Sequence, residues 1–481
     1  MREPNPGKPD PLLKAVGQAT PPPTREVVTN QDSSGDSASG TPEPGRTTLK
    51  EARRKGVLGL LQILGPGLIT GASDDDPSGI GTYSQVGAQF GFGMLWTAIF
   101  TFPLMAAVQE LCARIALQTG VGLGVVLRRK YPNTLVGFCI LLLLVANTIN
   151  IGADLGAVAA GGELLTRGFI KELWLVVPAA GLILGLQFFV TYARIFSIFK
   201  WLTVALFAYV ITGLVVHPPV AEVVRATVIP HIEFSTAFLT ALVAVLGTTI
   251  SPYLFFWQAS SEVDEMRAAG LRTEAQRRGV RQQELNAART DVLLGMFFSN
   301  VVMYFIILTT AATLNAHHKT DISSAQQAAS SLEPFAGHYA FILFAVGLIG
   351  TGLLAIPILS GSAAYALKEF LGLPGTLAEK PRHRPTFYAI LLLATIVGVA
   401  INFVHIDPVK ALFWSAVING VVAPPLLVLI MVLGADRSVM KERTSGWLSR
   451  TLGWAATILM SIAAVAVIVL QLAVPLLHIK M

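Results

Sequence analysis

The sequence predicts an all-α integral membrane protein with eleven transmembrane helices. Two observations support this fold class. Of the 481 residues, 53% are hydrophobic and only 13% are charged, whereas a soluble protein carries about 25% charged residues. From about residue 57 the chain is a succession of apolar runs, most of them near the ~20 residues that cross a bilayer. This pattern excludes a soluble enzyme and a nucleic-acid-binding module, although the formal net charge is +6.

The segment 1–50 differs from the rest of the chain. It contains nine prolines among Ser, Thr, Gly and Asp and has no apolar run that a secretory signal peptide would need. Such a segment cannot bury enough apolar surface to offset its ordering entropy. We therefore predict a disordered cytoplasmic tail.

Eleven apolar runs follow the tail. The predicted spans are 57–88, 92–117, 135–162, 173–191, 196–217, 234–260, 290–314, 338–370, 386–404, 408–433 and 450–476. The first, sixth and eighth are longer than one straight span needs, and the first and the sixth also contain helix breakers near their middles. These two interruptions carry most of the functional information in the sequence.

The first span contains three consecutive carboxylates. Asp74, Asp75 and Asp76 lie at mid-span, followed by Pro77 and Gly79. A charge near the bilayer centre costs ~2.5–3.5 kcal/mol, so acidic residues there usually serve a function. Proline lacks an N–H and crowds the preceding turn, which predicts two half-helices with an unwound stretch at 74–79. Free carbonyls beside carboxylates favour a cation site. The alternative is a proline kink in which the acids cap the second half-helix.

The sixth span is interrupted in a similar way, at Gly247, Thr248, Thr249, Ser251 and Pro252. Thr and Ser hydroxyls can bond to the preceding helical turn, so a simple kink is the alternative here. The two interruptions fall in the first span of each of two five-span halves. This position favours an inverted-repeat transporter with its site near the membrane midplane.

The two breaks predict how the chain is organised in the membrane. Residues 57–217 and 234–433 form the two repeats, and 450–476 is an additional eleventh helix. Lys and Arg concentrate in the loops on one side, as in 128–130, 267–289 and 437–450. Cytoplasmic loops carry this excess. We therefore place the N-terminus in the cytoplasm and the C-terminus outside the plasma (inner) membrane.

Polar residues in three other spans are candidates for lining a pathway. Asn147, Asn150 and Asp154 lie on one helical face of the third span, because their spacing is i, i+3 and i+7. Such a stripe faces protein or a wet cavity, and interhelical packing is the alternative. Asn300 in the seventh span and Asn419 in the tenth are single polar residues. Single asparagines more often join helices than bind ligands, so we retain both as supporting residues.

At these residues the chain resembles the NRAMP family of divalent metal transporters, over roughly 55–475. The family has Asp-Pro-Gly-Asn in its broken first helix, where this chain has DPSG at 76–79. The family has Ala-x-x-Met-Pro-His in its sixth helix, where this chain has TTISPY at 248–253. The segments GPGLITG, QELCAR, TGVGL and NAARTDVLLGMFFSN are also similar. The resemblance implies a leucine-transporter-type 5+5 inverted repeat with broken helices one and six, plus helix eleven.

The resemblance also implies a set of metal ligands. Asp76 matches the family's Asp, while Gly79 replaces its Asn, Thr248 its carbonyl-donating residue and Ser251 its Met. We therefore expect Asp76, the Gly79 carbonyl, Thr248 and Ser251 to hold the metal, with Tyr253 beside them. Loss of the thioether favours harder ions such as Mn²⁺ and Mg²⁺. The change is similar to that in the NRAMP-related magnesium transporters.

The residues that would relay protons differ from the family pattern. The family has a His where this chain has Tyr253, and a Glu where this chain has Ala157, although Asp154 matches a family Asp. The resemblance therefore implies weak or absent proton coupling. Inward movement of a divalent cation down 100 mV supplies about 4.6 kcal/mol without protons, since each charge contributes ~2.3.

The sequence thus predicts a secondary transporter or facilitator that moves Mn²⁺, Mg²⁺ or Fe²⁺ by alternating access. A transporter of an amino acid or another organic solute on the same broad fold is the alternative. That protein would need a neutral half-helix N-terminus for a carboxylate, whereas this chain has the acidic run Asp74–Asp76.

No HExxH, GxSxG or phosphate-binding loop occurs, so we expect no enzyme. We expect no cofactor besides the transported metal and no partner besides the lipid bilayer; a monomer is consistent with the sequence.

Overall fold

The computed structural model describes residues 65–190 and 204–473, except residues 323, 378, 380 and 405. The predicted tail at 1–50 lies outside the described residues. So do the start of the first span, part of the fifth and the end of the eleventh. The described residues form helices and no β-strand.

The helices follow the predicted spans closely. Those of the first half are α1 (Pro66–Asp74), α2 (Pro77–Phe90), α3 (Trp96–Thr119), α4 (Leu123–Lys130), α5 (Asn133–Leu165), α6 (Glu172–Phe189), α7 (Phe207–Val215) and α8 (Val220–Val228). Those of the second half are α9 (Thr236–Thr249), α10 (Pro252–Ala268), α11 (Glu274–Arg277), α12 (Gln282–Thr313), α13 (Ala325–Ser330), α14 (Glu333–Ala336), α15 (Ala340–Leu371), α16 (Pro385–Ile401), α17 (Pro408–Ala435), α18 (Arg437–Met440) and α19 (Trp447–Ile468).

Nine helical stretches in the described part of the chain are long and apolar enough to cross a bilayer, with α9 and α10 counted as one. The broken pair α1–α2 and the fifth span, of which α7 is described, complete the predicted set. The largest differences are of eight residues each: the sixth span continues to Ala268 instead of 260, and the seventh begins at Gln282 instead of 290. Residues 282–289 are largely polar, so hydropathy alone does not detect this extension of the helix.

Both predicted helix breaks are present. α1 ends at Asp74 and α2 begins at Pro77, while α9 ends at Thr249 and α10 begins at Pro252. Each proline stands at the first helical position, where its missing N–H is not needed. The unwound stretch of the first span is shorter than the predicted 74–79, because residues 78 and 79 already belong to the first turn of α2.

Glycines bring the first half-helix of each broken span against a neighbouring helix. A Cβ on Gly71 of α1 would lie 2.2 Å from the carbonyl carbon of Gly295 in α12. A Cβ on Gly247 of α9 would lie 2.1 Å from the carbonyl oxygen of Ala416 in α17. Small residues allow such close helix contacts in membranes. These contacts hold the two breaks in place relative to the seventh and tenth spans.

We expect Gly247→Ala to lower the melting temperature of the purified protein, because the added methyl group overlaps the backbone of α17. Overpacking of this kind costs ~1–3 kcal/mol. Gly181→Ala is the matched control, since a Cβ on Gly181 would meet no heavy atom within 4 Å. Thermal denaturation of the detergent-solubilised variants measures both. Equal melting temperatures for the two variants would contradict the close contact.

Loops on the predicted cytoplasmic side are joined by ion pairs. Arg129 of α4 donates to both carboxylate oxygens of Glu274, at 2.8 and 3.0 Å. The hydrogen bond from Arg129 lowers the pKa of Glu274 from its usual value. Lys130 pairs with Asp436. These two basic residues therefore have acidic partners within the chain.

Candidate metal site

The two helix breaks contact each other and the third span. Tyr253, in the first turn of α10, donates a hydrogen bond to the carbonyl oxygen of Ser73 in α1, at 3.0 Å. The same hydroxyl lies 3.4 Å from Oδ2 of Asp76. Asn150 of α5 donates to this Oδ2 at 3.0 Å. Three of the residues singled out in the sequence, Asp76, Asn150 and Tyr253, therefore meet at one point.

Asp76 is buried, and four polar groups lie within hydrogen-bond distance of its carboxylate. Its Oδ1 accepts from the Ser78 hydroxyl at 2.6 Å and from the Gly79 N–H at 2.7 Å. Its Oδ2 accepts from Asn150 and competes with the Ser73 carbonyl for the single hydrogen of the Tyr253 hydroxyl. The bond from Gly79 makes Asp76 the N-cap of α2, so the capping role considered for these acids does occur. Capping uses only Oδ1, whereas Oδ2 faces the third and sixth spans.

The acidic run is closed to solvent and has no basic counterpart in the part of the chain that the structure describes. Asp74, Asp75 and Asp76 are 0%, 6% and 1% exposed. Among the described residues, no Lys, Arg or His forms an ion pair with any of them. Buried charges in proteins are paired or bind metal ions. The arrangement therefore suits a cation.

Thr248 and Ser251 lie at the break of the sixth span. The Ser251 hydroxyl is 2.8 Å from the carbonyl oxygens of both Gly247 and Thr248, to which it can donate. The Thr248 hydroxyl is buried without a hydrogen-bond partner in the described chain. A Cβ on Gly79 would lie 3.3 Å from that hydroxyl oxygen. Gly79 and Thr248 thus face each other across the two breaks.

Several supporting residues carry buried polar atoms that no described residue satisfies. Both amide atoms of Asn419 belong to this group, whereas the Asp154 carboxylate lies beside the main-chain N–H of Ser78. Asn147 donates to the carbonyl oxygen of Leu359 in α15 at 3.2 Å, but its own oxygen has no partner in the described chain. Buried polar groups of this kind are normally satisfied by ordered water. These positions therefore fit a hydrated pathway.

Asn300, by contrast, joins two helices. Its amide nitrogen lies 2.8 Å from the sulfur of Met105, and its oxygen accepts from Thr101 at 3.4 Å. Both partners belong to α3. Asn300 therefore makes the interhelical contacts considered for it in the sequence, and the structure does not bring it to Asp76.

Asp74 and Asp75 face the seventh span through a residue that the sequence analysis missed. The hydroxyl oxygen of Ser299 in α12 lies 2.6 Å from Oδ2 of Asp74 and 3.1 Å from Oδ1 of Asp75. A single serine in a membrane helix carries little signal of its own. The sequence feature that could have indicated Ser299 is its position directly before Asn300.

A metal at this site would depend on one carboxylate and neutral oxygens. In the part of the chain that the structure describes, no group of three or more His, Cys, Asp or Glu side chains is placed to hold a metal ion. The neutral groups beside Asp76 are the hydroxyls of Ser78 and Tyr253 and the amide of Asn150, while the Thr248 hydroxyl and the Asp74 carbonyl lie beside Gly79. Oxygen donors suit hard cations.

A membrane helix bundle with two broken helices that meet at a buried acidic site defines a transporter. A sequence profile described as natural resistance-associated macrophage protein-like (Nramp) matches residues 67–470. The chain belongs to the Nramp family. It is therefore a membrane transporter and not an enzyme.

Two curated relatives from Klebsiella pneumoniae bear the name divalent metal cation transporter MntH. The protein from strain 342 is 24% identical over 398 residues, which cover 81% of this chain and 91% of the relative. The protein from strain ATCC 700721 / MGH 78578 is 25% identical over 383 residues, which cover 79% and 87%.

Solved structures show the same fold. The Eremococcus coleocola manganese transporter, in complex with an aromatic bis-isothiourea substituted compound, superimposes with a TM-score of 0.67 at 18% identity, covering 87% of this chain and 89% of that chain. Mhp1, a nucleobase-cation-symport-1 family transporter, superimposes in a closed conformation with a TM-score of 0.52 at 16% identity, covering 84% and 93%. These similarities confirm the predicted fold class.

Proposed function

We propose that this protein carries divalent metal cations across the plasma (inner) membrane by alternating access, with Asp76 as the principal ligand. The observation that carries the proposal is a buried carboxylate at the meeting point of both helix breaks, with no basic partner among the described residues. The names of the Nramp relatives support this substrate class. The distribution of Lys and Arg supports a cytoplasmic N-terminus.

The proposed ligands besides Asp76 are the Gly79 carbonyl, Thr248 and Ser251. All of these donors are oxygens, which suit Mg²⁺ and Mn²⁺ better than soft ions. The Asn150 oxygen has no partner in the described chain and can accept from a water molecule on the cation. Mg²⁺ usually keeps several of its waters in protein sites. We therefore propose Mn²⁺ and Mg²⁺ as the main substrates, with Fe²⁺ as a further candidate.

The same geometry disfavours an organic acid as substrate. A transporter of that kind would present a free half-helix N-terminus to the substrate carboxylate. Here the Asp76 carboxylate itself occupies the N-terminus of α2, through its bond to the Gly79 N–H. A second carboxylate would be repelled at this position.

We propose further that the two repeats, 57–217 and 234–433, move relative to each other around this site, with the eleventh helix as an addition.

Uptake into proteoliposomes tests the transport function. We expect Mn²⁺ and Mg²⁺ to enter protein-containing vesicles and not vesicles without protein. Vesicles that take up an amino acid but neither cation would overturn the proposal.

Transport should be weakly coupled to protons or uncoupled. An unperturbed Tyr titrates near 10, so Tyr253 lacks the near-neutral titration that makes His a good proton carrier. Ala157 cannot titrate, which leaves Asp154 as the remaining candidate carrier. We expect metal uptake without internal acidification in vesicles that contain a pH-sensitive dye and have their potential clamped with valinomycin. Acidification that saturates in parallel with uptake, and disappears in Asp154→Asn, would contradict this prediction.

A further inference from the structure

The hydroxyl of Tyr253 occupies a position at Asp76 that a directly bound cation would need. A carboxylate offers about four lone-pair sites on its two oxygens. At Asp76, Ser78 and Gly79 donate to Oδ1 and Asn150 donates to Oδ2, while the Tyr253 hydroxyl lies 3.4 Å from Oδ2. The Tyr253 hydroxyl therefore stands at the one site that the other three donors leave. A cation that binds Asp76 directly must displace one of the four donors.

Tyr253 is the donor that is easiest to displace. The two donors to Oδ1 belong to the start of α2 and lie at 2.6 and 2.7 Å. Asn150 lies at 3.0 Å, whereas Tyr253 lies at 3.4 Å, a length at which a hydrogen bond is already weak. Oδ2 is thus the more accessible oxygen, and its contact with Tyr253 is the weakest of the four.

Tyr253 also has a second acceptor within reach. A hydroxyl group has a single hydrogen to donate, and the Ser73 carbonyl competes for it at 3.0 Å. The Tyr253 hydroxyl can therefore leave Asp76 without becoming an unsatisfied buried donor, which would be costly. The exchange requires no movement of the ring, because both acceptors already lie beside the hydroxyl.

We infer that Tyr253 competes with the cation for Asp76 and so sets the metal affinity of the site. Its hydrogen is shared between Asp76 and the Ser73 carbonyl when no cation is bound, and goes to the Ser73 carbonyl alone when a cation takes Oδ2. The inference rests on the proposed function and adds an affinity-determining residue to it. Ser73 belongs to α1, Asp76 caps α2 and Tyr253 belongs to α10. The exchange therefore links cation binding to the contact between the two helix breaks.

Tyr253→Phe tests the exchange, because it removes the hydroxyl and keeps the ring of a fully buried residue. We expect Mn²⁺ to bind about three- to tenfold more tightly in isothermal titration calorimetry of the full-length protein, the effect of releasing one hydrogen bond. Tyr209→Phe is the matched control. Tyr209 is also fully buried and lies in α7, and its hydroxyl is not among the donors to Asp76. Its dissociation constant should equal that of the parent protein.

An unchanged or weaker affinity in Tyr253→Phe would overturn the inference, as would an equal gain in Tyr209→Phe. Structural damage cannot imitate the expected result, because a distorted site binds its cation less tightly. If Tyr253→Phe is not monodisperse in size-exclusion chromatography, Tyr253→Leu carries the same test. A parent protein that binds no Mn²⁺ would instead contradict the proposed function, so the two failures are distinguishable.

Discussion

Asp76→Asn should reduce the affinity for Mn²⁺ by at least about 100-fold while the protein remains folded. The substitution removes the charge of the carboxylate at the meeting point of the two breaks. Even residues that only orient a metal ligand cost 10–100-fold in affinity when they are replaced. Asparagine is as good an N-cap as aspartate, so α2 keeps its first hydrogen bond. Calorimetry on the purified variant, with size-exclusion chromatography as the check of folding, measures the effect.

Asp75→Asn is the matched control for this variant. It removes a carboxylate from the adjacent position, but that carboxylate contacts Ser299 and neither Asn150 nor Tyr253. We expect a clearly smaller loss of affinity. A folded Asp76→Asn protein with unchanged affinity, or equal losses in both variants, would contradict the assignment of Asp76 as principal ligand.

Ser251→Met should raise the affinity for Cd²⁺ relative to Mn²⁺ by roughly tenfold, because thioethers favour softer ions than hydroxyls do. Ser251 is the N-cap residue of α10, between the two half-helices, and its hydroxyl bonds only to main-chain carbonyls of the preceding turn. Replacing it therefore breaks no side-chain contact to another span. Competition between the two ions in calorimetry or in vesicle uptake gives the ratio of affinities.

Ser251→Ala separates the gain of sulfur from the loss of the hydroxyl. We expect the alanine variant to keep the preference of the parent protein for Mn²⁺ over Cd²⁺. A parent protein that already binds Cd²⁺ far more tightly than Mn²⁺ and ignores Mg²⁺ would show that the argument for a hard site is wrong.

The helix breaks and the spans could be predicted from the sequence because their causes are local. Pro77 and Pro252 restart helices through the geometry of their own rings. Each long apolar run must become a helix, because a helix satisfies its backbone hydrogen bonds within the segment. The eight-residue extension of α12 before residue 290 was missed because it is polar and lies outside the apolar run.

The partners of the candidate site residues could not be predicted in the same way. Asn150 and Asn300 are both single asparagines within apolar helices, and nothing in their immediate sequence separates them. Packing places Asn150 against Asp76 and Asn300 against Met105 of α3. Ser299 was overlooked for the same reason, since only the contact of α12 with the first span makes it a partner of Asp74.

The sequence by itself determined the fold class, the position of both breaks and the presence of three carboxylates at the first break. These follow from hydropathy, from proline stereochemistry and from the cost of acidic residues in a membrane, all of which act within a few residues of chain. Only the tertiary structure decided which groups surround Asp76. Asn150 is 74 residues away in the chain and Tyr253 is 177 residues away. Such contacts depend on how whole helices rotate and cross, and here glycine contacts at Gly71 and Gly247 set those crossings.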